Sequence, residues 1–502
     1  MMRGRVTFAG AGPGDPGLIT IKAKVALENA DAVLYDYLAH PNLLTNCKSS
    51  AELINVGKRK GYHSQTQEAI NELMVKLAQQ GKHIVRLKGG DPCVFGRIGE
   101  EMECLTHHNI PFDIIPGVTS AIAVPAYAGI PITQRDVSRS FAVITATPQD
   151  GESTENIHIP NAETLVFLMP VTQLEILVKR IVVEIDHFTP DTPAALIYRG
   201  TTSSQKTLLG TLTTIVDLKN QHHLNPPAIL VVGEVAKLTQ KYNWTENLPL
   251  FGKRVILLRT AEQAQDWITP LSELGAEVVQ LPMIEIIPQQ NADKQITKAG
   301  IQKFSWLIFT STNGVKQWMA ALFKNQEDVR ALAHLKIAVI GTKTASVLKD
   351  YGLVPDIIPQ EFSQEGLLDT LPSDLSGQTF LIATAAGARD VLPTQLKTRG
   401  ATVEVWHLYT TKMPTILSTQ EIKDGDIVIF TSSSTVTHFF ESRVWNQQVI
   451  TAICIGKTTE ATLKEVYQGK IAVSPKSTIN DTINVLLNTA GNANDSSTSP
   501  SI

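Results

Sequence analysis

"VTFAGAGPGDPGLITIKA", residues 6–23, carries a short apolar strand into six crowded residues of Gly, Pro and Asp, then into a helical pattern. Gly12, Gly14 and Gly17 satisfy G-x-G-x-x-G, and Asp36 ends a second apolar run about twenty residues further on. On spacing alone this is the dinucleotide-binding fingerprint. The residues inside the turn oppose that reading. A dinucleotide loop points backbone N–H groups at a pyrophosphate, and Pro13 and Pro16 have none to give. Asp15 would set a carboxylate beside the phosphates. The glycines still require a sharp bend with something packed close. A tight strand–helix turn capped by Asp15 is the plainer alternative.

Two further stretches repeat the device. "VRLKGGDPCVFGRIGEE" (85–101) runs a strand into Gly89, Gly90 and Asp91, then starts a helix. "IIPGVTSAIAVPAYAGIPITQRD" (114–136) offers Pro116-Gly117 and the hydroxyls of Thr119 and Ser120. Three Gly-rich strand ends in one α/β unit make a pocket of backbone atoms plus a carboxylate. Such a pocket suits a ligand with an ammonium, a carboxylate and an adenine edge, and suits a polyphosphate poorly.

The wider chain is α/β, because strand-like runs alternate with helical patterns almost throughout. Between residues 5 and 233 they read "RVTFAG", "AVLYD", "HIVRLKGG", "FDIIPG", "SFAVITA", "TLVFLM", "PAALIYRG" and "PAILVVG". The polar, Pro- and Gly-bearing stretch "KYNWTENLPLFGK" (241–253) marks a domain boundary. Beyond it the chain repeats itself. "RVILLRT" (254–260) answers "TFLIATA" (379–385), and "LGAEVVQLPMIEI" (274–286) answers "RGATVEVWHLYTT" (399–411). "WLIFTSTNGV" (306–315) answers "DIVIFTSSSTV" (426–436), and "IAVIGTKTASVLKDYG" (337–352) answers "AICIGKTTEATLKEVY" (452–467). Residues 253–488 therefore read as two similar α/β halves with a cleft between them. The polar tail, residues 489–502, is expected to be disordered.

Composition bounds the function. A length of 502 residues allows two to four domains. A net charge of −4 provides no basic field for nucleic acid or an anionic membrane. No apolar run reaches a membrane span, and the N-terminus has no signal-peptide core. Cys47, Cys93, Cys104 and Cys454 lack C-x-x-C spacing, which disfavours zinc and disulfides and suits a reducing cytoplasm. His107-His108 has no partner at metal spacing, and nothing marks Cys93 as a thiolate.

"GAGPGDPGLITIKA", "VLYDYL", "VGKRKGYHSQTQEAIN", "LKGGDPCVFGR" and "PGVTSA…GIPITQRDVSRS" together resemble uroporphyrinogen-III C-methyltransferase over about residues 4–245. The resemblance implies the tetrapyrrole methylase fold of two α/β domains, S-adenosylmethionine as cofactor, a homodimer, and a domain spanning 1–245. It places cofactor contacts at Pro13, Gly89, Gly90, Asp91, Val94, Thr119, Ser120, Met169 and Gly200. Ser120 stands where relatives often carry Ala. Asp36 and Lys58 match the family's acid–base pair, with Asp36 as base and Lys58 as donor. That chemistry needs no metal, because a sulfonium is already an activated electrophile and positioning supplies much of the rate. Without the resemblance, Asp36 reads as a strand-end cap and Lys58 as one member of a solvated "KRK" run.

In the repeated half, strands end in hydroxyl-rich helix starts, which cap helices and attract anions. "FTSTNGV", "IGTKTASVL", "IPQEFSQEGLL", "VEVWHLYTT" and "IGKTTEATL" are similar in order and spacing to uroporphyrinogen-III synthase over about 253–488. The resemblance implies two lobes, 253–286 with 412–488 and 290–408, and closure of hydroxymethylbilane with loss of water and no cofactor. Tyr409 matches its catalytic candidate, and Ser311, Thr344, Ser432 and Thr458 match substrate contacts. Some members carry a lysine seven residues before Thr458; here that place holds Thr451. A half-buried strand tyrosine is the alternative for Tyr409. The expected protein is a fusion whose synthase makes what its methylase consumes, giving precorrin-2. The alternatives are a non-catalytic tetrapyrrole-binding C-terminal module, a methylase for another tetrapyrrole or a protein, and an NAD enzyme. No stretch resembles the dehydrogenase–ferrochelatase module of some sirohaem synthases.

Overall fold

Apolar runs bounded by Gly, Pro and Asp become strands covered on both faces, and among the described residues they assemble into four five-stranded sheets. The computed structural model describes residues 4–48, 50–57, 66–147, 157–414, 421–442 and 444–491. The first sheet takes β1 (Arg5–Gly10), β2 (Ala32–Tyr35), β3 (Glu52–Asn55), β4 (His83–Lys88) and β5 (Phe112–Ile115). Its order is β3-β2-β4-β1-β5 and every pairing is parallel, so all five strands end at one edge. The second takes β6 (Phe141–Thr145), β7 (Thr164–Leu168), β8 (Pro193–Tyr198), β9 (Lys206–Thr211) and β10 (Ala228–Val232). Its order is β6-β7-β10-β8-β9, with β10 antiparallel to both neighbours. The sequence reading lacks β3 and β9. Both are edge strands with mostly half-buried or exposed side chains, so neither carries the continuous apolar run of a central strand.

Each sheet is sandwiched. Val6 and Phe8 of β1 pack with Ile70 and Met74 on one face, while Ala9 packs with Leu27 and Leu87 on the other. The remaining strands are β11 (Arg254–Leu257), β12 (Glu277–Gln280), β13 (Glu285–Pro288), β14 (Trp306–Phe309), β15 (Lys336–Val339), β16 (Thr379–Ala385), β17 (Thr402–Lys412), β18 (Ile427–Phe430), β19 (Thr451–Cys454) and β20 (Lys470–Val473). They form a third sheet, β12-β11-β18-β19-β20, and a fourth, β13-β17-β16-β14-β15. The repeated segments equate β11 with β16, β12 with β17, β14 with β18 and β15 with β19. The strand orders β12-β11-β18-β19 and β17-β16-β14-β15 then coincide. Each lobe therefore draws two strands from each repeat, and neither lobe is a single repeat.

Two expected boundaries move. Glu285 and Ile286, expected in the first lobe, pair with Lys412 and Thr411 at the end of β17, in the other lobe's sheet. The two passages between lobes run antiparallel, and each satisfies the other's backbone groups. At the C-terminus the last helix is Ile479–Gly491, so residues 489–491 are helical, with Leu486 and Ala490 in the lobe core. The rest of the expected disordered tail, 492–502, lies outside the described residues.

The two modules touch along β12, an edge strand whose outer backbone groups would otherwise lack partners. The Asn42 side-chain amide donates to the Val278 carbonyl, and Ser203 Oγ donates to Glu277 Oε2 at 2.8 Å. No helix among the described residues is long and apolar enough to cross a membrane.

Phe430 is fully buried and meets Phe439 edge-on at 5.4 Å between ring centres. Phe430→Ala should destabilise its lobe by about 3–5 kcal/mol. Urea unfolding followed by tryptophan fluorescence measures this.

Candidate active sites in the two modules

The ends of β4, β1 and β5 lie side by side, and their loops meet at glycines. Gly12 N donates to Gly90 O at 3.2 Å, and Gly90 N returns a bond to Gly12 O at 2.7 Å. A Cβ at Gly117 would stand 2.3 Å from Gly90 O and 2.7 Å from Gly10 Cα, so no side chain fits there. Gly12 and Gly90 have φ of +75° and +66°, which glycine adopts without strain. These loops have little left for a pyrophosphate. Gly12 and Gly90 have bonded each other, and Gly17 N is taken by Asp15 Oδ1 at 2.7 Å. Asp15 Oδ2 accepts from Tyr127 OH at 2.7 Å, and burial beside that carboxylate pushes the Tyr127 phenol well up. The dinucleotide reading fails on these bonds as well as on the prolines.

The predicted cofactor residues largely converge here. Asp91 uses both carboxylate oxygens on backbone, Oδ1 accepting from Cys93 N at 2.7 Å and Oδ2 from Gly117 N at 2.9 Å. It therefore clamps two of the three loops together. Thr119 caps the helix Ser120–Tyr127, and Val94 is half-buried, its N–H donating to Asp91 O. From the second domain, Met169 follows β7 and is exposed with φ +56°, while Gly200 follows β8 against Val124. Asp15 N donates to Thr201 Oγ1 at 3.1 Å, which ties the Pro13 loop to the Gly200 loop across the domain boundary. Backbone polar groups, small residues and fixed carboxylates fit a cationic sulfonium with an amino-acid tail.

Asp36 follows β2. Its N–H donates to Leu87 O, and its Oδ1 pairs with Arg86 Nη2 at 2.7 Å, so it is no helix cap. Lys58 lies outside the described residues. Sequence reasoning missed Arg86, Lys88 and Glu101, which form ion pairs of 3.1 Å (Arg86–Glu101) and 2.9 Å (Lys88–Glu101). The signal was present in "VRLKGG": two cations two residues apart lie on one face of a strand whose neighbouring residues Ile84, Val85 and Leu87 are apolar. Burial pushes the Lys88 ammonium down, with Arg86 adding to the effect and Glu101 opposing it. His108 and Cys93 are exposed, and no metal-binding group of three His, Cys, Asp or Glu occurs among the described residues.

In the C-terminal module the repeat shows in the helix caps. Ser311 caps Thr312–Lys324 and Ser432 caps Ser433–Glu441, with φ of −162° and −165°. Tyr409 on β17 is buried, and its hydroxyl lies 2.8 Å from Ser311 Oγ. Burial pushes the phenol up, while hydrogen bonds from Ser311 and Asn313 pull the other way. Asn313 Oδ1 also accepts from Gln263 Nε2 of the facing lobe at 3.3 Å, and Gln263 accepts from Arg259 Nε at 3.2 Å. Lys343 and Asp266 form a second contact between lobes, at 3.4 Å. Thr344 is buried at the third position of its helix, whereas Thr458 is exposed at the second position of its own. The repeat thus equates Thr344 with buried Thr459. Asn313 and Gln263 escaped the sequence reading because their significance lies in the facing of two lobes.

Residues 5–216 match the family model of tetrapyrrole (corrin/porphyrin) methylases, and residues 265–484 match that of uroporphyrinogen-III synthase HemD. Over 506 aligned residues the chain is 36% identical to a porphyrin biosynthesis protein HemD of Ruminiclostridium josui, covering 98% of this chain and 99% of that one. It is 38% identical to a uroporphyrinogen-III C-methyltransferase of Bacillus subtilis over 68% of this chain and 71% of the relative. Among solved structures, the uroporphyrin-III-C-methyltransferase of Thermus thermophilus is 39% identical, with a TM-score of 0.41, over 48% of this chain and 97% of that one. The two modules define a fused methylase–synthase of tetrapyrrole biosynthesis. The chain belongs to the HemD family of porphyrin biosynthesis proteins.

Gly117→Ala should part the loops that Asp91 clamps. Calorimetric titration with S-adenosylhomocysteine should show affinity reduced about tenfold or more, equivalent to about 1.4 kcal/mol. Titration of the wild type with NADH should show no binding.

Proposed function

We propose that the C-terminal module closes hydroxymethylbilane to uroporphyrinogen III with loss of water, and that the N-terminal module methylates this product twice to give precorrin-2, on the route to sirohaem and cobalamin. The observation that carries the pairing is one chain holding both modules, the product of one being the substrate of the other. Fusion raises the local concentration of an unstable intermediate at the second site.

S-adenosylmethionine supplies an activated methyl group. Pro13, Gly89, Gly90, Asp91, Val94, Thr119, Ser120, Met169 and Gly200 would hold it, with Asp91 keeping two loops in register. Orientation of a pyrrole carbon toward the methyl group then accounts for much of the rate. Asp36, partly exposed beside the loops, takes the proton released from the macrocycle, and Lys58 serves as donor. In the synthase cleft, Tyr409 assists departure of the substrate hydroxyl, its phenol oriented by Ser311 and Asn313. The helix starts at Ser311, Ser432 and Thr458 receive carboxylates, and Thr344 supports its helix from the buried side. The same resemblance implies a homodimer through the methylase module, which sedimentation equilibrium tests. The four free cysteines fit a reducing cytoplasm.

Given hydroxymethylbilane alone, the protein should release uroporphyrinogen III; with S-adenosylmethionine it should release the dimethylated product. Asp36→Ala should slow methylation about 10²–10⁴-fold and leave ring closure intact. Tyr409→Phe should slow ring closure about 10–100-fold and leave methylation of supplied uroporphyrinogen III intact. Chromatographic identification of products reads both. Isomer I as the sole cyclic product would reduce the C-terminal module to a tetrapyrrole-binding one.

A further inference from the structure

β4 buries two cations, and the way they are shared has a direction. The Arg86 and Lys88 side chains are 3% and 6% exposed, and Glu101 on the helix Ile98–His107 is fully buried. Of these four charged side chains Asp36 is the most exposed, at 30%. Glu101 Oε1 accepts from Arg86 Nε at 3.1 Å and from Gln67 Nε2 at 3.1 Å, while Oε2 takes Lys88 Nζ at 2.9 Å. Because Lys88 serves one oxygen of Glu101, Arg86 need not spend its whole fork there. Its Nη1 donates to Leu34 O and Leu87 O, and its Nη2 is left for Asp36 at 2.7 Å. The Asp36 N–H also bonds Leu87 O at 3.1 Å, so β4 holds this residue by main chain and side chain together.

We propose that Arg86 is a positioning residue for methyl transfer, its guanidinium anchored on buried Glu101 and holding the Asp36 carboxylate in one orientation at the cleft. The inference rests on Asp36 acting on the macrocycle, and it assigns to Glu101 and Lys88 the task of keeping the Arg86 fork in place. Lysine is a poor substitute, because its ammonium is a single point charge and lacks the rigid fork that sets Nε on Glu101 and Nη2 on Asp36 at a fixed spacing.

Arg86→Lys in the full chain tests this, since it keeps a cation beside Glu101. Methylation kcat should fall about 10–100-fold. KM for uroporphyrinogen III and calorimetric affinity for S-adenosylhomocysteine should stay within about threefold, and the ring-closure rate should be unchanged. In an Asp36→Asn background, Arg86→Lys should cost less than about twofold more, because the two residues act as one unit. Wild-type kcat in Arg86→Lys, losses that multiply in the double variant, or parallel loss of S-adenosylhomocysteine binding would each overturn the positioning role. A fully active Asp36→Asn variant would instead overturn the reading of Asp36 itself. Should Arg86→Lys fail to fold, Arg86→Gln, which leaves the buried Lys88–Glu101 pair intact, carries the same expectations.

Discussion

A parallel sheet ends its strands at one edge, and every strand end there presents backbone donors and acceptors that need partners. The two modules answer this constraint differently. In the methylase module the loops after β1, β4 and β5 bond one another through Gly12 and Gly90, and Asp91 staples Gly117 into the same knot. In the synthase module, Ser311 and Ser432 cap the helices that follow β14 and β18. The first solution spends its amides on itself. The second turns its serine hydroxyls back onto the first turn of each helix.

The exchange of strands between lobes has a mechanical consequence. Because each lobe takes two strands from each repeat, the chain passes between lobes twice, and the passages pair with each other as β13 and the end of β17. Tyr409 lies on that pairing, opposite Pro288, and so sits at the junction of the lobes. Its partner Asn313 reaches Gln263 in the other lobe. Tyr409 is thus one residue removed from a direct contact between the lobes.

Much of the candidate chemistry was legible because it depends on local backbone. Pro13 and Pro16 declare which N–H groups are missing, and Gly89-Gly90-Asp91 declares a sharp turn with a carboxylate. The charge group around Arg86 was less legible. Arg86, Lys88 and Glu101 are ordinary surface residues by type, and their burial depends on the helices packed over β4. The edge strands β3 and β9 were missed for a related reason: a strand with one neighbour buries too little to leave an apolar run.

Residue order alone determined the α/β class, the repeat, and the three strand-end loops, because each is a matter of periodicity, proline and glycine along the chain. Resemblance to two enzyme families pointed to Asp36 and Tyr409. Tertiary structure decided what those residues touch. It set Asp36 on Arg86, brought Tyr409 to Ser311 and Asn313, and interlaced two repeats into two lobes. Those outcomes depend on which strand ends meet across a sheet and across a cleft, and such distances are set by packing between segments far apart in the chain.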